Sequence, residues 1–158
     1  MYLRFSMYSI QLKRSTSADA DFQDLVIQLD QDLAEKNGDN NAFFAQYNRI
    51  DFIQHVVVLY VNDKAVACGA FKAFDDEQVE IKRMFVCEDQ RGKKLGFEVL
   101  QELTRWAKEL GYSACVLETG TKMKAAIHLY TKFGFERIEN YGQYAGIEDS
   151  LCFRKKLG

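Results

Sequence analysis

Apolar and polar positions alternate near the start of the chain. Tyr8, Ile10 and Leu12 are separated by Ser9, Gln11 and Lys13, the period of two expected of a half-buried strand. The period then lengthens. Phe22, Leu25, Val26, Leu29 and Leu33 recur at helical spacing behind Thr16 and Asp19, which resemble a capping box, and Asn37-Gly38 marks the stop. Asn41 to Asn48 predicts a second, short helix. Val56 to Val61 is an unbroken apolar strand that turns at Asn62-Asp63 into another, Ala65 to Phe74. The polar turn Asp75-Asp76-Glu77 leads to a third strand, Val79 to Val86. These connections are too short for crossovers, so the three strands form an antiparallel meander.

The second half changes character. Leu95, Val99, Leu100, Leu103, Trp106, Ala107 and Leu110 make one stripe of a long helix ending at Gly111. Ala114 to Leu117 reads as a short strand, Met123 to Tyr130 as a helix closed by Gly134, and Phe135 to Ile138 and Leu151 to Phe153 as final strands. The order β-α-α-β-β-β-α-β-α-β-β predicts an α/β fold of mixed type. Its sheet is largely antiparallel, with a central β-α-β crossover and helices on both faces. That crossover is expected to be right-handed. Ligands in such sheets favour the carboxyl end of the strand feeding the crossover, here Val86-Cys87.

A chain of 158 residues, 47% hydrophobic and 28% charged, is read as a single domain, 1–158. The net charge of -2 argues against nucleic acid as a partner. No apolar run is long enough to span a membrane, and Met1 to Met7 does not read as a signal peptide. Cys68, Cys87, Cys115 and Cys152 form no Cys-x-x-Cys pair and are accompanied by only two histidines, so no metal site is expected. They read as small buried hydrophobes of a reducing, cytoplasmic protein.

The chemistry concentrates at one junction. Gln90-Arg91-Gly92-Lys93-Lys94-Leu95-Gly96 lies between the third meander strand and the long helix. The first amides of a helix have no intrahelical acceptor and point out of its N-terminus, where the dipole also favours an anion. Glycines allow the backbone to approach a ligand closely, and Arg91, Lys93 and Lys94 add positive charge. The loop has neither the Gly-Lys-Ser/Thr of the nucleotide P-loop nor the dinucleotide Gly-x-Gly-x-x-Gly. On its own it argues only for an anion; a solvated turn remains the plain alternative.

With Glu80-Ile81-Lys82-Arg83-Met84-Phe85-Val86 ahead of it, the loop resembles the GCN5-related N-acetyltransferase (GNAT) superfamily. The family pattern Arg/Gln-x-x-Gly-x-Gly/Ala is met by Arg91 to Gly96, with Lys94 at the usual middle glycine. A second signature, Asn-x-x-Ala-x-x-Leu-Tyr-x-Lys-x-Gly-Phe, is met by Ala126, Leu129, Tyr130, Lys132, Gly134 and Phe135, with Met123 at the usual Asn. The resemblance implies the acyl-CoA N-acyltransferase fold and transfer of acetyl from acetyl-CoA to a small-molecule or peptide amine, and it allows a homodimer. Arg91, Gly92, Lys93, Lys94, Leu95 and Gly96 would hold the pyrophosphate, and the backbone of Phe85, Val86 and Cys87 the pantetheine arm. A bulge in that strand is implied too; Val79 and Ile81 keep period two, and Met84-Phe85-Val86 breaks it.

A thioester is already activated, so no protein nucleophile is required, and a thioester on Cys87 is disfavoured. The acceptor amine must be neutral to attack. A lysine-like amine is neutral roughly once in 10³ at pH 7. Glu80 resembles the family's general base; its plain alternative is a solvent-facing strand residue paired with Lys72 or Lys82. Tyr130 resembles the family's proton donor to the departing thiolate, with a core tyrosine as the alternative. His55 and His128 are read as surface or core residues and Trp106 as core. The acceptor site is expected around Asn41–Arg49 and Tyr141–Ser150. The competing function is a non-catalytic acyl-CoA-binding sensor or interaction module.

Overall fold

The computed structural model describes residues 8–38, 41–42 and 52–158. Most of the helix expected at Asn41–Asn48 and most of the predicted acceptor segment Asn41–Arg49 lie outside the described residues. Strand β1, Ile10–Ser15, precedes helix α1, Ala20–Asn37. The meander follows as β2, His55–Val61, β3, Lys64–Ala73, and β4, Gln78–Val86. Then come α2, Leu95–Glu109, β5, Ala114–Gly120, α3, Lys124–Phe133, β6, Glu136–Ile138, and β7, Ser150–Lys156.

One seven-stranded sheet runs in the order β1-β2-β3-β4-β5-β7-β6. Among the described residues only β4 and β5 pair in parallel, as the long α2 connection requires. The helices divide between the faces. His55 of β2 stacks on Phe71 of β3 at 4.7 Å, and both rings meet Trp106 of α2. Tyr60 of β2 instead donates its hydroxyl to Asp21 of α1 at 2.5 Å. Positions 55 and 60 project to opposite sides of a strand, so α1 and α2 cover opposite faces. The fully buried rings and aliphatics Phe22, Phe71, Phe153, Leu59 and Leu100 belong to the core between these layers.

Local chemistry explains most boundaries. The start of α1 differs from the expected capping box: Asp19 is itself the N-cap, accepting from the amides of Asp21 and Phe22. Gly38, at φ +54°, closes the helix. Among the described residues β1 pairs only with β2; Tyr8 and Ile10 are exposed and Leu12 turns partly inward. β5 and β7 run further than their apolar cores, because each is the other's antiparallel partner from Ala114↔Lys156 to Gly120↔Ser150.

Two irregularities create the site. Parallel pairing of β4 with β5 is confined to Gln78↔Ala114, Val79↔Cys115 and Glu80↔Val116. Beyond Glu80 the two strands part. On the other edge of β4, Phe85 faces Cys68 and Lys82 faces Ala70, so Gly69 stands opposite both Arg83 and Met84. This is a β-bulge, and Arg83 adopts φ +59° in it. The Arg83 guanidinium bonds Asp30 of α1 at 2.7 Å, and its carbonyl accepts the Cys68 thiol at 3.4 Å.

Candidate active site

Two cavities open where β4 and β5 separate. One, of about 110 Å³, is lined by Glu80, Lys82, Arg83, Glu118 and Tyr144 among others. The other, of about 260 Å³, runs along Phe85 and Val86 to Arg91, Gly92, Lys94, Leu95 and Gly96. They share Leu29, Met84, Met123, Ala126 and Tyr130 as common wall. Tyr130 thus stands between a basic glycine loop and a carboxylate-bearing pocket.

The glycine loop is built for close approach at a helix start. Its first helical bond is Glu98 N–H to the Lys94 carbonyl at 3.2 Å, which leaves the amides of the first turn without an intrahelical acceptor. Gly92 sits at φ +81°, open to space. A Cβ on Gly96 would lie 3.0 Å from Leu129, so this glycine lets α2 and α3 approach. Lys94 is the N-cap at φ +62°, a conformation glycine adopts without strain, which gives the physical reason a glycine is common there. Arg91 folds back, with Nε on the Val86 carbonyl at 3.0 Å and Nη2 3.6 Å from Asp32. Lys93 bonds Gln90 at 3.0 Å and is not part of the cavity wall.

Cys87 departs from expectation. Its amide is donated to the Val66 carbonyl at 2.8 Å, and its thiol reaches Gln28 Oε1 at 3.6 Å. It lines neither cavity, and burial raises its thiol pKa, so it is poorly placed both as a pantetheine contact and as a nucleophile. Phe85 and Val86 do line the larger cavity. Burial also pushes the Cys115 thiol up to about 12, and all four cysteines are buried and unpaired.

Glu80 is not a solvent-facing residue. It is 5% exposed, accepts the Tyr141 hydroxyl on Oε2 at 2.7 Å, and has Lys82 Nζ 3.7 Å from Oε1. Lys72 lies opposite it in the β3–β4 register. Tyr141 packs edge-on against Phe74 and Tyr144, forming an aromatic wall beside the smaller cavity. Burial, then the Glu80 carboxylate, holds the Tyr141 hydroxyl well above its ordinary pKa. Burial lowers the Lys82 pKa, and Glu80 opposes that shift.

Tyr130 is almost fully buried, edge-on to Phe135 at 5.8 Å. Burial, then the Glu118 carboxylate, raises its pKa, so it carries its proton at neutral pH. His55 and His128 line neither cavity. Among the described residues no cluster of three or more His, Cys, Asp or Glu side chains could hold a metal ion, and no helix is long and apolar enough to cross a membrane.

Glu118 is the site residue that sequence reasoning passed over. Val116 pairs with Glu80, so Glu118, two residues on, projects from the same face of the sheet. Its Oε2 accepts the Ser150 hydroxyl at 2.7 Å. Burial lifts its pKa to about 7, aided by the Glu80 charge and opposed by Ser150 and Lys82. The available signal was a lone acid continuing an apolar run in a strand beside the crossover.

Known proteins resemble this chain in sequence and fold. IAA acetyltransferase of Azospirillum brasilense is 34% identical over 144 residues, which cover 85% of this chain and 92% of that one. The uncharacterized N-acetyltransferase YsnE of Bacillus subtilis is 34% identical over 97 residues, 60% of this chain and 64% of its own length. A Klebsiella pneumoniae protein, solved as a candidate acyl-CoA N-acyltransferase, superposes with TM-score 0.73 at 27% identity, covering 98% of this chain and 100% of that one. The fold also matches a GNAT acetyltransferase of Elizabethkingia anophelis with acetyl-CoA bound, at TM-score 0.65 and 17% identity over 93% and 97% of the two chains. The sequence model of the acetyltransferase (GNAT) family matches residues 20–135. An acyltransferase scaffold splayed at Glu80 and Val116, and these likenesses along its length, lead to one conclusion: the chain belongs to the GNAT family of acetyltransferases.

Proposed function

We propose that the protein moves an acetyl group from acetyl-CoA directly to a primary amine. The observation that carries this reading is the position of Tyr130, on the wall shared by the basic glycine-loop cavity and the carboxylate-bearing one. Donor and acceptor sites meet there. The larger cavity fits CoA by its chemistry: unpaired amides at the α2 N-terminus for pyrophosphate, Lys36, Arg91 and Lys94 for charge, and an apolar length along Leu29, Phe85, Ala126 and Leu129 for the arm. When bound, acetyl-CoA supplies an acyl group already activated as a thioester.

The chain's own residues then have three tasks. The bulge at Arg83–Met84 turns β4 out of regular pairing, so backbone donors near it can face an oxyanion instead of a neighbouring strand, at a typical gain of about 10²–10³ in rate. A cleft carboxylate removes the amine's proton; Glu80, the residue expected from its place on β4, and Glu118 both line the smaller cavity. Tyr130 Oη gives a proton to the leaving sulfur. The four unpaired buried cysteines support a reducing, cytoplasmic setting.

The test is CoA release from acetyl-CoA, followed by thiol titration across a panel of small and peptide amines. Acceptor-dependent release is expected. Tight acetyl-CoA binding without release by any amine would favour a non-catalytic acyl-CoA-binding module.

A further inference from the structure

We infer that Glu118, rather than Glu80, takes the proton from the acceptor amine, and that Glu80 helps to anchor the incoming ammonium. This rests on the acetyltransferase reading above. Both carboxylates face the smaller cavity from the same side of the sheet, on the strands that part beyond Glu80 and Val116. Their surroundings differ in kind.

Both oxygens of Glu80 have partners, the Tyr141 hydroxyl on Oε2 and Lys82 Nζ beside Oε1. Glu118 has a neutral hydroxyl, Ser150, on Oε2. The titratable groups around it are Glu80 and Lys82 from β4, Tyr130 from α3, Tyr144 from the loop before β7, and Cys152 from β7 itself. Of these only Lys82 carries positive charge, and burial weakens its hold on the proton. Glu118 is therefore a buried carboxylate placed to take up a proton near neutral pH. Two carboxyl groups with such different hydrogen-bond partners can divide the roles of proton acceptor and ammonium anchor. A base that titrates near the working pH is also the more effective one.

The protons balance as follows. An ammonium acceptor gives one proton to Glu118, and the freed nitrogen lone pair forms the C–N bond to the thioester carbonyl carbon. As the C–S bond breaks, the sulfur takes a proton from Tyr130 Oη. The second proton lost by nitrogen restores that tyrosine, and Glu118 releases its own proton to solvent. One proton leaves per turnover.

The test compares wild type, Glu118→Gln and Glu80→Gln in kcat/KM against pH, using acetyl-CoA and an amine that supports release. ¹³C NMR titration of the glutamate carboxyls in the ligand-free protein accompanies it. Wild type should rise to a plateau through a group near pH 7, matched by a carboxyl resonance that titrates there and vanishes in Glu118→Gln. Glu118→Gln should lose about 10²-fold at pH 7 and climb with unit slope towards the amine's own pKa. Glu80→Gln should keep the limb near pH 7 and raise KM for the amine. A Glu118→Gln profile like wild type, loss of the limb in Glu80→Gln, or no carboxyl titrating near 7 would overturn the assignment while leaving acetyl transfer intact. No release by wild type with any amine would instead overturn the transferase reading, and the base with it.

Discussion

Gly69 and Met84 face each other across the β4 bulge so closely that a Cβ on Gly69 would lie 2.5 Å from the methionine sulfur. Leu103 and Val99 of α2 would stand 2.8 and 2.9 Å from that Cβ. The glycine is therefore the space into which the bulged strand and the crossover helix both settle. Gly69→Ala should destabilise the protein by about 1–3 kcal/mol through overpacking. It should also weaken acetyl-CoA binding, because Met84 is common wall to both cavities. Urea unfolding and acetyl-CoA titration check the two effects; an unchanged midpoint would show that the helix yields freely.

Helix α3 begins at Met123, whose side chain makes no capping bond. The asparagine usual at this position in the family would accept from the orphan amides of the first turn. Met123→Asn should accordingly stabilise by about 0.5–1 kcal/mol, a rise of roughly 1–4 °C in a chain of this size. Thermal denaturation reads it directly, and no rise would mean that the backbone here holds its amides away from the new oxygen.

Glu118 gives stability a particular pH dependence. Its pKa moves from an ordinary 4.5 to about 7 on folding, so between these values the folded state binds the proton more tightly than the unfolded one. The sign follows from linkage: this group's destabilising contribution is absent near pH 4.5, grows through the interval, and is complete above pH 7. Glu118→Gln should match wild type near pH 4.5 and exceed it at pH 8 by on the order of 1–3 kcal/mol. Equal stability at both pH values would show that the carboxyl is hydrated.

Tyr130→Phe keeps the ring packed on Phe135 and removes only the hydroxyl. Turnover should fall about 10²-fold at saturating substrates, with acetyl-CoA affinity changed little. Steady-state kinetics paired with calorimetric binding of acetyl-CoA separates these quantities. Unchanged turnover would remove this hydroxyl from the proton path.

The candidate site was unevenly legible. Arg91–Gly96 and Tyr130 stood out because a helix start and a helix stripe impose local spacing that a linear reading can see. Glu80 was found for its place on β4, yet its enclosure was not visible: Tyr141, which bonds it, lies in the loop before β7. Glu118 escaped notice because Ala114 to Leu117 is apolar without alternation, which hides which face the next residue takes. Its partner Ser150 is brought beside it only by the β5–β7 pairing. For Cys87 the linear reading showed only its closeness to the acyl site, not that its amide is tied to Val66 and its thiol to Gln28.

From the chain alone came the elements and their order, the meander, the crossover and the anion-binding loop, since each rests on contacts between near neighbours or on strict periodicity. Tertiary structure alone decided where β4 and β5 part, which residue absorbs the bulge, and which carboxylates share the cleft. Those outcomes depend on register between distant strands, where a shift of one residue turns a side chain to the opposite face.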